Sequence, residues 1–211
     1  LDAHPRGRLI TLEGPEGAGK TVLGQRLATA LVAAGHTVVL TREPGGTRLG
    51  ERLRSLLLED GGRVEPRADA LLFNAARAQL VGEILRPSLA AGQVIVCARF
   101  ADSTLAYQGY GEGLPLAELR ALAAVATGGL VPDRTILLDL DPEIGLRRKG
   151  PGDQTRFEAS FDLDFHRRVR AGFLELAAAE PERFRIVDAS RSVDAVFADV
   201  RMAALEVLEE G

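Results

Sequence analysis

Residues Gly14-Pro15-Glu16-Gly17-Ala18-Gly19-Lys20-Thr21 carry the densest chemistry in this sequence. Their spacing is G-x-x-x-x-G-K-[ST], in which a glycine-rich turn aims successive backbone N–H groups at phosphate oxygens. A helix beginning near Lys20 would add the positive end of its dipole. Lys20 would reach the β- and γ-phosphates, and the Thr21 hydroxyl would ligate Mg²⁺. The ligand implied is a nucleoside triphosphate, with ATP as phosphoryl donor. The plain alternative is a glycine-rich turn, and the flanking strand and helix argue against it. Among 26 basic residues only Lys20 and Lys149 are lysine. A compact ammonium suits a point contact to phosphate better than the broader arginine fork.

The elements that must position this loop follow from hydrophobic patterning. Residues 8–13 read as a strand, 20–34 as a helix closed by Gly35, and 37–41 as a second strand before Pro44-Gly45-Gly46. Helices are expected at about 47–59 and 66–86. The unbroken apolar run 93–98 reads as a strand buried on both faces. Residues 101–113, rich in polar, tyrosine and glycine positions, read as a site loop with a helical start. A helix at 116–126, a strand at 134–140 and a helix opened by Pro142 come next. Residues 149–155, with Gly150-Pro151-Gly152, read as a mobile connection. A helix at 159–179, a strand at 184–188 and a helix at 193–208 complete the chain. Alternating strands and helices imply an α/β fold with a parallel sheet and helices on both faces.

Bulk properties narrow the functional classes. The 211 residues suit one substantial core, read as a domain over 8–211 after a loose arm at 1–7. A net charge of −4 gives no electrostatic reason to expect nucleic acid or a membrane as partner. No apolar run approaches the ~20 residues that span a bilayer. Cys97 is the only cysteine, which excludes an internal disulfide and fits a cytoplasmic location. It reads as a small buried hydrophobe. His4, His36 and His166 lack metal-ligand spacing and suit surface or capping roles.

A phosphate loop alone does not name an enzyme. Guanine recognition of the Asn-Lys-x-Asp kind is absent. A small kinase needs further basic residues for the acceptor phosphate and an arginine-bearing lid, and both are present. Phe73 and Arg77, four apart on a helix, share a face and could grip a planar base. Arg42 ends a strand, where open parallel sheets place ligand residues. Arg147, Arg148, Lys149 and Arg156 bracket the Gly-Pro-Gly segment, and an arginine closing over a transferring phosphoryl group contributes ~10³-fold or more in rate. Taken singly, each of these has a structural rival: a core phenylalanine, a solvated arginine, a charged helix end.

The ordered set resembles the bacterial form of the thymidylate kinase family across nearly the whole chain. The matching pieces are LEGPEGAGKT at 12–21, TREPGGTRLGERLRSLLL at 41–58, LLFNAARAQLV at 71–81, ARFADSTLAYQGYGEG at 98–113, LLDLDPEIGLRR at 137–148 and DAS at 188–190. The resemblance implies a P-loop kinase fold with strand order 2-3-1-4-5, a lid at about 147–158, and transfer of phosphate from ATP·Mg²⁺ to dTMP by a cytoplasmic homodimer. It implies that Gly14 to Thr21 bind ATP, with Thr21 as metal ligand. Arg42 and Arg99 would hold the dTMP phosphate. Phe73 would stack on thymine beside Arg77, while Thr104 and Gln108 line the base pocket. Tyr107 would pack where a ribose 2′-hydroxyl would lie, and Glu16 would approach the 3′-hydroxyl. Lys20, Arg99, Arg148 and Arg156 would be catalytic. Gly17 stands where one class of the family carries a loop arginine, which assigns that charge to the lid. Asp188 to Arg191 are candidate adenine contacts. The helices at 66–86 and 159–179 could supply an apolar dimer face.

One departure stands out. The family has Asp-Arg-aromatic at the end of the third strand, and this chain has Ala98-Arg99-Phe100. Three readings are open: Glu13 or Asp102 substitutes for the missing carboxylate, the chain is an engineered inactive variant, or it is a degenerate nucleotide binder. Val22, where a second hydroxyl is common, is a smaller departure. Asp139 resembles a Walker-B carboxylate and could equally anchor a loop. A kinase of another nucleoside monophosphate is the alternative enzyme.

Overall fold

The computed structural model describes residues 6–58, 64–149 and 161–209. Five strands, β1 (Leu9–Glu13), β2 (Val38–Arg42), β3 (Val94–Ala98), β4 (Arg134–Asp139) and β5 (Phe184–Asp188), form one parallel sheet in the order β2-β3-β1-β4-β5. This is the expected order. The three central strands are the apolar runs, as a sheet covered on both faces requires. Register sets Ala98 beside Leu12 on one side and Arg42 on the other, so three strand ends meet at one edge.

Alternation along the strands sends side chains to opposite faces. Ile10, Leu12, Val96, Ile136 and Leu138 pack against Leu23 and Leu27 of α1 (Lys20–Ala33) and Val200 of the closing helix, Val193–Glu209. On the opposite face, Leu137 and Phe184 meet Tyr107, Phe165 and Phe173. Leu9, Ile95 and Cys97 meet Leu80, Leu85 and Phe100 there. Cys97 is fully buried, as its type suggested.

Between these lie α2 (Arg48–Leu58), α3 (Pro66–Leu80), α4 (Arg86–Ala90), α5 (Ala101–Thr104), α6 (Leu116–Thr127), α7 (Pro142–Arg148) and α8 (Leu163–Ala179); the closing helix is α9. Glu65 caps α3 by accepting from Arg67 N–H at 2.8 Å and Ala68 N–H at 3.1 Å. The helix expected to stop near 86 continues to Ala90 through a π-helical turn, Val81–Leu85. That widening lies directly before Pro87, whose ring would otherwise clash with the preceding turn.

A second difference concerns residues 101–113. They are not a loop: α5 runs into a π-helical segment, Leu105–Gly111, packed along α8. The polar, glycine-rich composition argued for a loop, and burial against Phe165 and Val169 overrides it. His166, expected at the surface, is buried on α8 beside Phe165. Arg6 and Gly7, the end of the expected loose arm, are tied to the body by an Arg6–Asp133 ion pair and by Gly7 N–H donating to Leu89 O at 2.9 Å. Among the described residues no helix is long and apolar enough to cross a membrane.

Candidate active site

The phosphate loop joins β1 to α1 directly. Gly19 takes φ +91°, and no side chain caps the start of α1, so its first N–H groups are left for an anion. Lys20 is buried, and its Nζ donates to Gly14 O at 2.8 Å and Pro15 O at 2.7 Å. The loop thus wraps around the ammonium. Burial, then the nearby Arg99, pushes the Lys20 pKa down to about 7, against the pull of Glu16 and Glu13. Thr21 is exposed in the same first turn and lines the cleft in front of it.

That cleft has a volume of about 510 Å³. It gathers Glu16, Gly17, Gly19, Lys20 and Thr21 from the loop with Arg42, Phe73, Arg99, Thr104, Tyr107, Gln108 and Arg148. Gly14, Pro15 and Ala18 are buried and do not border it. Arg156 lies outside the described residues, as does most of the expected lid.

Arg99 sits at the centre of the acceptor side. It is the only non-glycine residue with positive φ (+71°) among those described, a strained geometry costing roughly 1–3 kcal/mol. Flanking backbone bonds hold the corner: Arg99 N–H donates to Leu12 O at 2.9 Å and Phe100 N–H to Glu13 Oε1 at 2.6 Å. The guanidinium then pairs with Glu16 and donates to Tyr107 Oη at 3.1 Å and Ser103 Oγ at 3.2 Å. Tyr107 in turn donates to Glu16 Oε1 at 2.9 Å, and Lys149 Nζ stands 3.2 Å from Glu16 Oε2. Burial alone would raise the Glu16 pKa, but Arg99, Lys20 and Lys149 overcome it and hold this carboxylate well below its ordinary range. Burial pushes the Tyr107 hydroxyl up, so it stays protonated.

Phe73 and Arg77 do share a face of α3, yet they sit at different depths. Phe73 lines the cleft, whereas Arg77 is 1% exposed and lies behind the wall. Arg77 donates to Glu43 Oε2 (2.8 Å), Asn74 Oδ1 (2.8 Å), Phe100 O (3.0 Å) and Thr104 Oγ1 (3.1 Å). It therefore ties α3 to the ends of β2 and β3. Burial raises the Glu43 pKa, and the Arg77 charge opposes that shift. Breaking such a buried pair from one side typically costs ~3–5 kcal/mol. Gln108 is set by donating to Asp69 Oδ2 at 3.0 Å. Arg42 reaches Glu51 at 3.1 Å, and both are half-exposed, so a phosphate can compete for that cation.

The carboxylates settle part of the question raised by Ala98, which lines the cleft. Asp102 is buried and held by Arg183 through contacts of 2.7 and 3.0 Å. Glu13 is fully buried and accepts from Phe100 N–H and Ser103 Oγ, each at 2.6 Å. Neither borders the cleft, so neither replaces the missing side chain there. Burial, then the charge of Asp102, pushes Glu13 up to about 7. Asp139 accepts from Arg170 at 2.7 and 2.8 Å, which makes it an anchor between β4 and α8. Among the described residues no cluster of three or more His, Cys, Asp or Glu could hold a metal ion. The donor set instead fits a Mg²⁺ that arrives on the triphosphate, with the Thr21 hydroxyl as one hard oxygen ligand.

At the edge of the lid, Arg148 Nη1 donates to Ala189 O at 3.1 Å, reaching the DAS segment at 188–190. Ser103, Glu43, Arg54 and Lys149 also line the cleft, and sequence reasoning assigned none of them a contact in the site. Glu43 adjoins Arg42, and Ser103 adjoins Thr104, so their neighbours were the available signal. Arg54 carried none beyond charge, and Lys149 only its place beside the expected lid.

Comparison with known proteins agrees with this geometry. The model of the thymidylate kinase family, "Thymidylate kinase", matches residues 12–200. A thymidylate kinase of Deinococcus radiodurans is 54% identical over 202 residues, covering 95% of this chain and 98% of that protein. One from Solidesulfovibrio magneticus is 54% identical over 196 residues, covering 89% and 93%. The crystal structure of thymidylate kinase from Ehrlichia chaffeensis superposes with a TM-score of 0.76 at 32% identity, covering 97% of this chain and 99% of that one.

Proposed function

The chain belongs to the thymidylate kinase family, and from that premise we propose that it transfers the γ-phosphoryl group of ATP to dTMP, giving ADP and dTDP. One observation carries the reading: Glu16, a residue of the phosphate loop, is bonded to Arg99 and Tyr107 of the opposite wall. Donor and acceptor sites therefore share one cleft and one side chain.

ATP lies along the loop, its phosphates on the backbone N–H groups and Lys20. The Thr21 hydroxyl would hold the Mg²⁺ carried by ATP, whose chemistry is to neutralise the β- and γ-oxygens. The dTMP phosphate takes its place between Arg42 and Arg99, displacing Arg99 from Glu16 and Arg42 from Glu51. Glu16 then accepts from the sugar 3′-hydroxyl. Thymine stacks on Phe73, with Thr104 and Gln108 fixing its edge and Arg77 holding Thr104 from behind. Tyr107 fills the space a 2′-hydroxyl would need. The dTMP phosphate oxygen attacks the γ-phosphorus as the bond to the bridging β-γ oxygen breaks. The attacking phosphate is already anionic, so no general base is required. Lys20, Arg99 and the lid arginines, Arg148 and Arg156, stabilise the charge that spreads over the equatorial oxygens.

Residues 8–211 are read as one kinase domain with its lid at about 147–158. A cytoplasmic homodimer completes the proposal. On α3, Leu71 is 56% exposed, which supports an apolar contact face. α8 spends Phe165, Val169 and Phe173 inside the core, so the contact is assigned to α3 alone.

Steady-state assays with ATP·Mg²⁺ across dTMP, dUMP, dCMP, AMP and GMP test the reading. The expected order has dTMP first, with dUMP disfavoured modestly because one methyl group is worth ~1–3 kcal/mol. A preference for any other monophosphate overturns it.

A further inference from the structure

We propose that Arg183, on the far side of the sheet from the phosphate loop, is a positioning residue for the acceptor half of the site. The inference rests on reading the cleft wall formed by Ser103, Thr104 and Tyr107 as the dTMP site. Arg183 precedes β5, and neither it nor Asp102, Thr135 or Glu180 borders the cleft.

Its guanidinium joins three elements. Nη1 donates to Asp102 Oδ2 at 2.7 Å and Nη2 to Asp102 Oδ1 at 3.0 Å, a two-pronged grip on α5. Nη1 also donates to Thr135 Oγ1 on β4 at 2.6 Å. Nε and Nη2 donate to Glu180 just beyond α8, at 2.8 and 3.0 Å. The Arg183 and Asp102 side chains are 12% and 6% exposed, so water screens this pair poorly.

The turn that Arg183 grips is the one that presents the acceptor groups. α5 has four residues and no side-chain cap at its start, so its first turn depends on contacts from outside it and on the π-helical segment that follows. Immediately after Asp102, Ser103 accepts from Arg99 and donates to Glu13, and Thr104 accepts from Arg77. One turn thus faces Arg183 with its second residue and the cleft with its third and fourth. Beyond Thr104 the chain continues into the π-helical segment that carries Tyr107 and Gln108.

A second line runs through the sheet. Thr135 Oγ1 is 2.9 Å from Thr11 Oγ1 on β1, two residues before Glu13 and on the same face of that strand. Arg183 is therefore connected to the Glu13–Ser103–Arg99 chain both through α5 and along β1. The donor loop meets this chain through Glu16, which pairs with Arg99, whereas Lys20 is held by the carbonyls of its own loop. Release of the Asp102 grip should shift the acceptor wall and leave the ATP loop in place, and misplacement of about 1 Å costs ~10²-fold in rate.

The test compares wild-type protein with Arg183→Lys, Arg183→Met, the double variant Asp102→Asn/Arg183→Met, and the control Glu180→Gln. Each is read by thermal unfolding and by separate KM values for dTMP and ATP. Arg183→Met alone strands a buried carboxylate and can unfold the chain; the double variant removes both charges and keeps the test open. We expect the double variant to fold, to raise the dTMP KM at least ~10-fold or lower kcat by a similar factor, and to keep the ATP KM within ~2-fold. Arg183→Lys should fall between it and wild type, and Glu180→Gln should match wild type. A folded double variant with wild-type dTMP kinetics, or one whose ATP and dTMP KM values rise together, overturns the inference. A wild-type protein that does not phosphorylate dTMP instead overturns the reading of the cleft, and the inference with it.

Discussion

Gly17 and Gly145 press the phosphate loop and α7 together backbone to backbone. A Cβ at Gly17 would lie 2.1 Å from Gly145 O, and a Cβ at Gly145 would lie 2.1 Å from Glu16 O. Gly17 also takes φ +70°, where an L side chain is strained. No arginine can stand in the loop at position 17 without moving the helix that leads to the lid. The same contact keeps Arg148 and Lys149 beside the loop.

Substitution at either glycine should therefore damage donor binding first. Gly17→Ala and Gly145→Ala are each expected to weaken ATP binding at least ~10-fold by titration calorimetry, since a single core overlap costs ~1–3 kcal/mol. Affinity for dTMP should fall less. Equal loss of both ligands would contradict this division of the site.

Ala98 puts no carboxylate at the end of β3, and the carboxylates that do line the cleft, Glu43 and Glu16, are paired with Arg77 and Arg99. Glu13 and Asp102 are buried and occupied elsewhere. Ala98→Asp is expected to raise kcat about tenfold or more and to lower the Mg²⁺ concentration for half-maximal turnover. Initial rates over a Mg²⁺ series measure both. An unchanged Mg²⁺ dependence would show that Thr21 and the phosphates suffice.

Glu13 makes stability depend on pH in a defined window. Its pKa rises from 4.5 to about 7 on folding, so the fold favours the protonated form. That contribution is complete below about pH 4.5 and is lost as pH rises through about 7. Lys20, pushed down from 10.5 to about 7, has the opposite slope between pH 7 and 10.5 and none below. Glu13→Gln can accept from Phe100 N–H and donate to Ser103 Oγ, as the protonated acid does. Urea midpoints at pH 4.5 and 7 should show the wild type losing on the order of 1–3 kcal/mol relative to this variant. Parallel curves would remove Glu13 from the account.

Tyr107 bridges the two halves of the cleft through its hydroxyl, while its ring carries the Arg99 guanidinium 4.9 Å above its centre and meets Phe165 and Phe173 edge-on, each 6.2 Å away. Tyr107→Phe should keep that packing and unfold within about 2 °C of wild type. Loss of hydrogen bonds to charged groups, worth ~1.5–3 kcal/mol, should raise the dTMP KM about tenfold or more. Thermal scans and dTMP kinetics on one preparation separate the two effects.

Local order was legible in the sequence; long-range pairing was not. The phosphate loop is contiguous, and the buried strands β1, β3 and β4 read as unbroken apolar runs, so sheet and donor site followed from short windows. Arg77 was assigned to the base from the resemblance and from its place four residues after Phe73 on a helix. Its partner Glu43 is 34 positions away, and no local pattern announces such a pair. Lys149 meeting Glu16 and Arg183 meeting Asp102 are hidden for the same reason. The stretch 105–111 misled differently: its composition favours a loop, and the partner that makes it helical lies on α8.

That stretch, Leu105–Gly111, has a further consequence. A π turn holds one residue more than an α turn of the same rise. Deleting a single residue there would let the chain heal into ordinary helix with its backbone bonds intact. Every side chain on one side of the cut would nonetheless rotate by about 100° against the rest, and Tyr107 would swing off its bearing on Glu16. At this one place the protein encodes its substrate pocket in the number of residues as much as in their kind.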